Sequence, residues 1–353
     1  MQFIILFLVA FSFSLILTPI VRKAALSFGA VDKLGFRKMH TKRIIVRLGG
    51  LAIFVSFYLT LLLFKYMQPQ VSSGNMLFIK GVFISSLLIL ALGIYDDLKG
   101  ADAKLKFSAQ IIASLIILHY GIKIELFSNP FRLEQTIDIR SWGIPLTIFW
   151  IIFITNSLNL LDGLDGLAAG VSCIILITMF CIAAYQEDYL IMAMSISLAG
   201  ATVGFLRYNF NPAKIFMGDT GSLFLGFVLA VLSVKGSHKS ATIVTMLIPV
   251  IAMGLPILDT LLAITRRFSA GENVFRADNE HIHHRLIKIG LSHRKVVLVL
   301  YGFSVLLGIT AFLLSVIKNQ YVAIILTVVI MTFFIVFKYL RPVNAMRKKD
   351  NRE

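Results

Sequence analysis

The feature that most constrains this chain is the recurrence of apolar stretches long enough to cross a bilayer. A spanning helix needs about 20 mostly apolar residues. Candidate stretches run over 2–21, 49–67, 77–95, 107–127, 143–160, 167–185, 189–206, 221–235, 241–265, 297–317 and 321–340. In lipid every backbone polar group must be satisfied within its own segment, so such stretches become helices. The reading is an all-α, polytopic integral membrane helix bundle with about 11 transmembrane helices, forming one membrane domain over 1–353. Composition supports it. Charged residues make up 15% of the 353 and hydrophobic residues 58%. An ordinary soluble domain carries roughly 25% charged residues. Mean hydropathy is +0.86, more apolar surface than one core could bury, so lipid must cover much of it.

The formal net charge of +16 is distributed as membrane loops require. Arg22, Lys23, Lys33, Arg37, Lys38, Lys42, Arg43 and Arg47 crowd the segment 22–48. Arg266, Arg267, Arg276, Arg285, Lys288, Arg294 and Lys295 crowd 266–296, and the tail adds Arg341, Arg347, Lys348, Lys349 and Arg352. With eleven spans these segments share one side, whereas the 68–76 loop opposite has no Lys or Arg. Positive loops mark the cytoplasm, so the N-terminus is expected outside and the C-terminus inside. The first apolar run has no basic residue before it and Arg22-Lys23 after it, the reverse of a cleaved signal peptide. No basic domain stands clear of the membrane runs, which argues against nucleic acid. Cys173 and Cys181 are eight residues apart, about 12 Å along a helix, too far for a disulfide.

Polar residues concentrate in four clusters, all on the expected cytoplasmic side. Asp96-Asp97 closes the third span. Adjacent carboxylates repel, so the pair invites a cation, a Lys partner or a proton, with Lys99, Lys104 and Lys106 nearby. The second cluster holds Asn156, Asn159, Asp162-Gly163 and Asp165-Gly166, with polar residues at every third position. On a 3₁₀ turn they would align, and on an α-helix they would drift around the axis. Position twelve from Asp162 is Cys173 rather than Glu, so this is no calcium loop. The third runs from Asn209 through Phe216-Met-Gly218-Asp219-Thr-Gly-Ser222, a Gly-flanked acid opening a helix, suited to phosphate or Mg²⁺. The fourth is His281-Ile-His283-His284-Arg285 in a basic loop. No cysteine is close enough for a zinc site, and imidazole beside Arg285 suits phosphate. Asp259, inside the ninth span, reads as an anchor pairing with Arg266, Arg267 or a loop Lys, ahead of a catalytic role.

Carboxylates and amides suit a hard cation, basic residues suit phosphates, and apolar surroundings suit a lipid. The combination points to phosphoryl transfer between a soluble nucleotide and a membrane-bound acceptor. In this order and spacing the four motifs resemble those of the polyprenyl-phosphate N-acetylhexosamine-1-phosphate transferase family, over essentially the whole chain. The His-Ile-His-His-Arg motif and the basic tail after an eleventh span resemble the undecaprenyl-phosphate N-acetylglucosamine-1-phosphate transferases more than the phospho-N-acetylmuramoyl-pentapeptide transferases. The resemblance implies Mg²⁺ (or Mn²⁺) as cofactor, with Asp219 and Asn159 as ligands. It implies a catalytic set of Asp96, Asp97, Asp162, Asp165, His283 and His284. Substrate contacts would come from Lys42, Lys106, Asn156, Asn209, Phe216, His281 and Arg285, with Asn209 and Phe216 near the uracil. The implied partners are a UDP-N-acetylhexosamine, undecaprenyl phosphate and the lipid bilayer, with a homodimer as an option and no nucleic acid. The rival classes are the same chemistry on UDP-MurNAc-pentapeptide or UDP-GalNAc, and a membrane transporter. Transporters place polar sites near the bilayer midplane, often on inverted repeats; no repeat is visible here.

Overall fold

The computed structural model describes residues 1–31, 45–67, 72–124, 126–128, 136–138, 140–236, 249–269 and 281–316. Eleven helices lie among these residues: α1 Gln2–Ser27, α2 Gly50–Met67, α3 Ser73–Lys99, α4 Ala103–His119, α5 Arg140–Leu161, α6 Leu167–Tyr185, α7 Tyr189–Asn209, α8 Gly218–Gly236, α9 Gly254–Ser269, α10 Ile282–Lys288 and α11 His293–Val316. Eight of them are long and apolar enough to cross a membrane. The protein is therefore an all-α, multi-pass membrane protein. The expected span at 321–340 and Lys42 lie outside the described residues.

Two expected boundaries are corrected. The fourth span, expected over 107–127, is the 17-residue α4. It starts early because Asp102 Oδ1 accepts the Leu105 N–H at 2.9 Å, an N-cap. It ends early because Gly121 takes φ +77°, the left-handed turn that closes helices. Beyond it a short antiparallel ladder joins β1 (Leu126–Ser128) to β2 (Thr136–Asp138). The ninth span, expected over 241–265, has its described part broken by a turn at Met253 before α9 begins.

The bundle is built around α8. Every residue from Thr220 to Val234 is buried, and α2, α3, α5, α6 and α7 all pack on it. A helix apolar all round belongs in the centre. The outer helices show the opposite pattern. On α1 only Leu6, Ala10, Ser14, Thr18 and Ala25 are buried, a stripe at helical spacing. That stripe faces α7, where a Cβ at Gly200 would meet Phe7 O at 2.4 Å and one at Gly204 would meet Phe11 O at 2.6 Å. Small residues four apart are how membrane helices bring backbones together without a hydrophobic drive. Large apolar side chains instead point outward: Ile16 and Ile20 of α1, Leu87 of α3, Ile112 and Leu115 of α4, Leu306 and Ile309 of α11. Lipid is the environment that suits such a girdle. Interior hydroxyls bond back to their own helix, as Thr18 does to Ser14 O at 2.6 Å and Thr155 to Ile151 O at 2.6 Å.

Alternating helix direction brings the α3 and α5 C-termini and the α4, α6 and α8 N-termini to one end. Backbone bonds stitch that end together. Val46 bridges both Val31 and Ile215. The Gly49 N–H donates to Phe216 O at 3.1 Å and the Gly50 N–H to Met217 O at 3.0 Å. At Gly50 an added Cβ would stand 2.2 Å from Gly221 Cα, so α2 starts against the α8 backbone itself. Gly50→Ala should therefore cost about 1–3 kcal/mol through overpacking. Gly74→Ala, with nothing within 4 Å of the new Cβ, should leave stability unchanged or slightly raised. Melting temperatures of the two purified variants in one detergent check the contrast.

Candidate active site

The site is organised by the first turn of α8. A helix start leaves N–H groups without intrahelical partners, and here a carboxylate from another helix takes them. Asp97 of α3, 7% exposed, accepts the Asp219 N–H at Oδ1 (3.0 Å) and the Thr220 N–H at Oδ2 (3.0 Å). The Thr220 hydroxyl donates to the same Oδ2 at 2.6 Å. The fit requires Gly218, which has φ +71° and whose Cβ would lie 2.3 Å from Asp97 Oδ2. Asp97 is thus an N-cap supplied from outside the helix it caps.

Asp96 points elsewhere. Successive helix positions differ by about 100°, so the two adjacent carboxylates take different partners, and for Asp96 the expected Lys partner is Lys106. The Asp96 carboxylate accepts the Ala101 N–H at Oδ1 and Lys106 Nζ at Oδ2 (2.8 Å). The same Lys106 Nζ reaches Asp219 Oδ2 at 2.6 Å. One ammonium therefore joins carboxylates from the end of α3 and the start of α8. The three side chains are 12%, 22% and 23% exposed for Asp96, Asp219 and Lys106 respectively, so the site opens to its surroundings. Two carboxylates against one ammonium leave a net negative cluster, suited to a further cation.

The asparagine–aspartate run does not form one continuous stripe. α5 continues through Asn156 and Asn159 to Leu161, and 162–166 then turns. The drift of an α-helix separates the two amides. Asn156 faces α4, its Nδ2 donating to Gln110 Oε1 at 2.7 Å; Gln110 is fully buried. Asn159 faces α8, its Nδ2 donating to Ser222 Oγ at 2.8 Å. Ser222 itself donates to Gly218 O at 3.1 Å, which fixes the amide with Nδ2 towards Ser222 and leaves Oδ1 as the acceptor. Asn159 is thereby tied to the turn that carries Asp219. Asp165 holds the opposite loop, its Oδ2 accepting Asn211 Nδ2 and the Ala213 N–H, each at 3.1 Å. Asn209, 2% exposed, clamps both loops: it accepts the Gly166 N–H at 3.1 Å and donates to Ile215 O at 3.0 Å. Its amide thus bonds backbone groups on both sides. Phe216, half-buried, exchanges backbone bonds with Val46 and Gly49.

The histidine motif docks on the same end. His283, 1% exposed, lies against Gly163, where a Cβ would sit 2.2 Å from its Nε2. Its ring is 4.3 Å from that of His284, and both precede the half-buried Arg285. His281 bonds Asp259 Oδ2 through Nδ1 at 3.0 Å. Asp259 thus anchors the start of α10, with His281 and the Ile282 N–H as its partners among the described residues.

The structure brings together Asp96, Lys106, Asp219 and, through Ser222, Asn159. It sets Asp162, Asp165 and His283 around the neighbouring turn. Sequence reasoning missed Gln110, a polar residue inside an apolar span, and Tyr301 of α11, whose hydroxyl donates to Gly166 O. Gln110 carried a signal, since amides within spans need partners; Tyr301 carried none. No group of three His, Cys, Asp or Glu able to hold a metal occurs among the described residues. Mg²⁺ does not ask for one. It takes one or two carboxylates, keeps waters and shares substrate phosphates, so Asp219 with the Asn159 amide oxygen fits it and fits a closed zinc site poorly.

A fold of lipid-facing helices with an acid–amide–lysine cluster at one end defines a membrane enzyme rather than a carrier with a midplane site. Residues 79–237 match the profile of glycosyl transferase family 4. The chain is 42% identical to a probable undecaprenyl-phosphate N-acetylglucosaminyl 1-phosphate transferase of Bacillus subtilis, over 89% of this chain and 85% of that one. It is 36% identical to a decaprenyl-phosphate N-acetylglucosaminephosphotransferase of Mycobacterium tuberculosis, over 83% and 76%. A phospho-N-acetylmuramoyl-pentapeptide-transferase of Listeria innocua is 32% identical over 85% and 94%. The chain belongs to glycosyl transferase family 4.

The two adjacent aspartates should separate by experiment. Asp97→Asn turns an amide NH₂ against donors of α8 and should cost about 1–3 kcal/mol in stability. Asp96→Asn keeps an acceptor for Ala101 and a hydrogen bond from Lys106 in a partly exposed ion pair, at a cost of about 1 kcal/mol. Thermal unfolding of both variants in detergent reads the difference.

Proposed function

We propose that the protein transfers a sugar-1-phosphate, GlcNAc-1-phosphate foremost, from a UDP-N-acetylhexosamine to undecaprenyl phosphate. The products are UMP and a lipid-diphosphate sugar. The observation that carries the reading is the Asp96–Lys106–Asp219 cluster at the start of α8, with Asn159 tied to the same turn. The relatives' names point the same way: two specify N-acetylglucosamine phosphate transfer to a polyprenyl phosphate. The basic residues Arg22, Arg207, Lys214, Arg266, Arg267 and Arg294 belong to this end of the bundle, which by the positive-inside rule faces the cytoplasm of a bacterial inner membrane.

The chemistry follows from charge. A phosphomonoester carries about −1.5 to −2 near neutral pH, so the lipid phosphate needs no base to become a nucleophile. An oxygen of that phosphate attacks the sugar-linked phosphorus, the bond from that phosphorus to the bridging oxygen breaks, and UMP leaves with both electrons. The barrier is the approach of two anions, and positioned cations lower it. Asp219 and Asn159 would hold Mg²⁺ (or Mn²⁺), which supplies charge neutralisation between the phosphates when bound. Lys106 supplies positive charge between Asp96 and Asp219 and orients the acceptor phosphate. His283, His284 and Arg285 meet the donor beside the Asp162–Asp165 turn.

Asp219→Asn should cut UMP release from UDP-GlcNAc and a polyprenyl phosphate by about 100-fold or more, with higher Mg²⁺ needed for the residual rate. Undiminished release at low Mg²⁺ refutes the metal assignment, and no release by the unmodified protein refutes the transferase. A panel of UDP-GlcNAc, UDP-GalNAc and UDP-MurNAc-pentapeptide, scored by the same product, fixes the donor.

A further inference from the structure

Asp259 lies within α9 and is 2% exposed, yet its carboxylate serves a different segment. Oδ1 accepts the Ile282 N–H at 2.8 Å, at the start of α10. Oδ2 lies 3.0 Å from Nδ1 of His281, a ring only 5% exposed. A carboxylate oxygen has no proton to give, so Nδ1 donates and the ring's orientation and tautomer are set. The His281 ring lies parallel to that of His283, centroids 5.6 Å apart and planes within 3°. His283 in turn touches His284 and fills the space that Gly163 leaves beside Asp162. A single carboxylate in α9 thus stands at the head of a row of rings that ends against the turn expected to meet the donor.

We propose that Asp259 is a positioning residue for the nucleotide-sugar diphosphate, acting through the ring of His281 on His283, His284 and Arg285. The inference rests on the transferase reading given above. It separates Asp259 from a plain anchor of α10, whose loss would weaken both substrates and stability together. Asp259→Asn keeps an acceptor for Ile282 and turns an NH₂ towards Nδ1. The ring must then carry its proton on Nε2, and the row should shift.

The test is steady-state kinetics of the full chain in detergent or nanodiscs, together with ¹⁵N spectra of its histidines. Asp259→Asn should melt like the unmodified protein, raise KM for the UDP-sugar by about tenfold and leave KM for polyprenyl phosphate within about twofold. The His281 signal should move from the Nδ1–H to the Nε2–H tautomer. Should Asp259→Asn not fold, His281→Asn serves instead. Its side-chain N–H replaces Nδ1–H and keeps the anchor, while the missing ring should raise donor KM alike. An unchanged donor KM in the folded variant, or equal rises for both substrates, overturns the proposal. Absence of UMP release from the unmodified protein condemns the transferase reading instead, and with it the donor-positioning role, while the tautomer shift reports only the Asp259–His281 bond.

Discussion

The structure depends on one exchange of hydrogen bonds: the Asp97 carboxylate of α3 closing the first turn of α8. α8 is the most enclosed helix in the bundle, 89% buried along its apolar window. Its free N–H groups cannot reach bulk water without opening the packing around them. A charged acceptor from a neighbour satisfies two of them and, through the helix dipole, is further stabilised there. The same contact sets the height of α3 against α8. Asp96, one residue earlier, is thereby turned towards Lys106 and Asp219. Cap and chemistry are adjacent in sequence because one helix end must supply both.

A second consequence concerns the loops. Asp165 and Asn209 spend their side chains on backbone groups of 166, 211, 213 and 215. These segments are too polar for lipid and too short for regular structure. Amide and carboxylate groups stand in for the strand partners or water they would otherwise need. The rigidity gained keeps the turns at 162–166 and 211–217 in fixed relation, with His283 seated between Gly163 and its neighbouring rings. Polar residues in such proteins therefore divide into those that hold the cleft and those that face it.

The sequence made the span pattern legible because apolar length is a one-dimensional property. Ten of the eleven expected stretches overlap described helices, and the limits failed where capping intervened, at Asp102 and Gly121. The site was legible as a set of residues but not as a division of labour. Asp96 and Asp97 look alike in a string of letters; only the 100° step of the helix and the position of α8 separate them. Asn156 and Asn159 differ in the same way, one meeting Gln110 and the other Ser222. No spacing rule reveals Gln110 or Tyr301, since their partners lie 46 and 135 residues away.

The location of the chemistry follows from the solvent. In hydrocarbon, irregular backbone survives only where protein or a water-filled cleft satisfies it. The turns after α5 and α7 therefore have to sit at a bundle end, where charged side chains escape the cost of the bilayer centre. In the proposed reaction a nucleotide-sugar would arrive from water and a polyprenyl phosphate from the leaflet, so their phosphates would meet at that boundary. The Asp96–Lys106–Asp219 cluster is partly exposed, while Asp259 and His281 are almost fully enclosed. Exposure of the cluster suits the two anions of the proposed reaction. Enclosure of Asp259 and His281 strengthens the bonds that hold the row of rings in place, because a low dielectric magnifies them. The contrast between open cluster and buried anchor suits one rigid bundle to the two-phase reaction proposed.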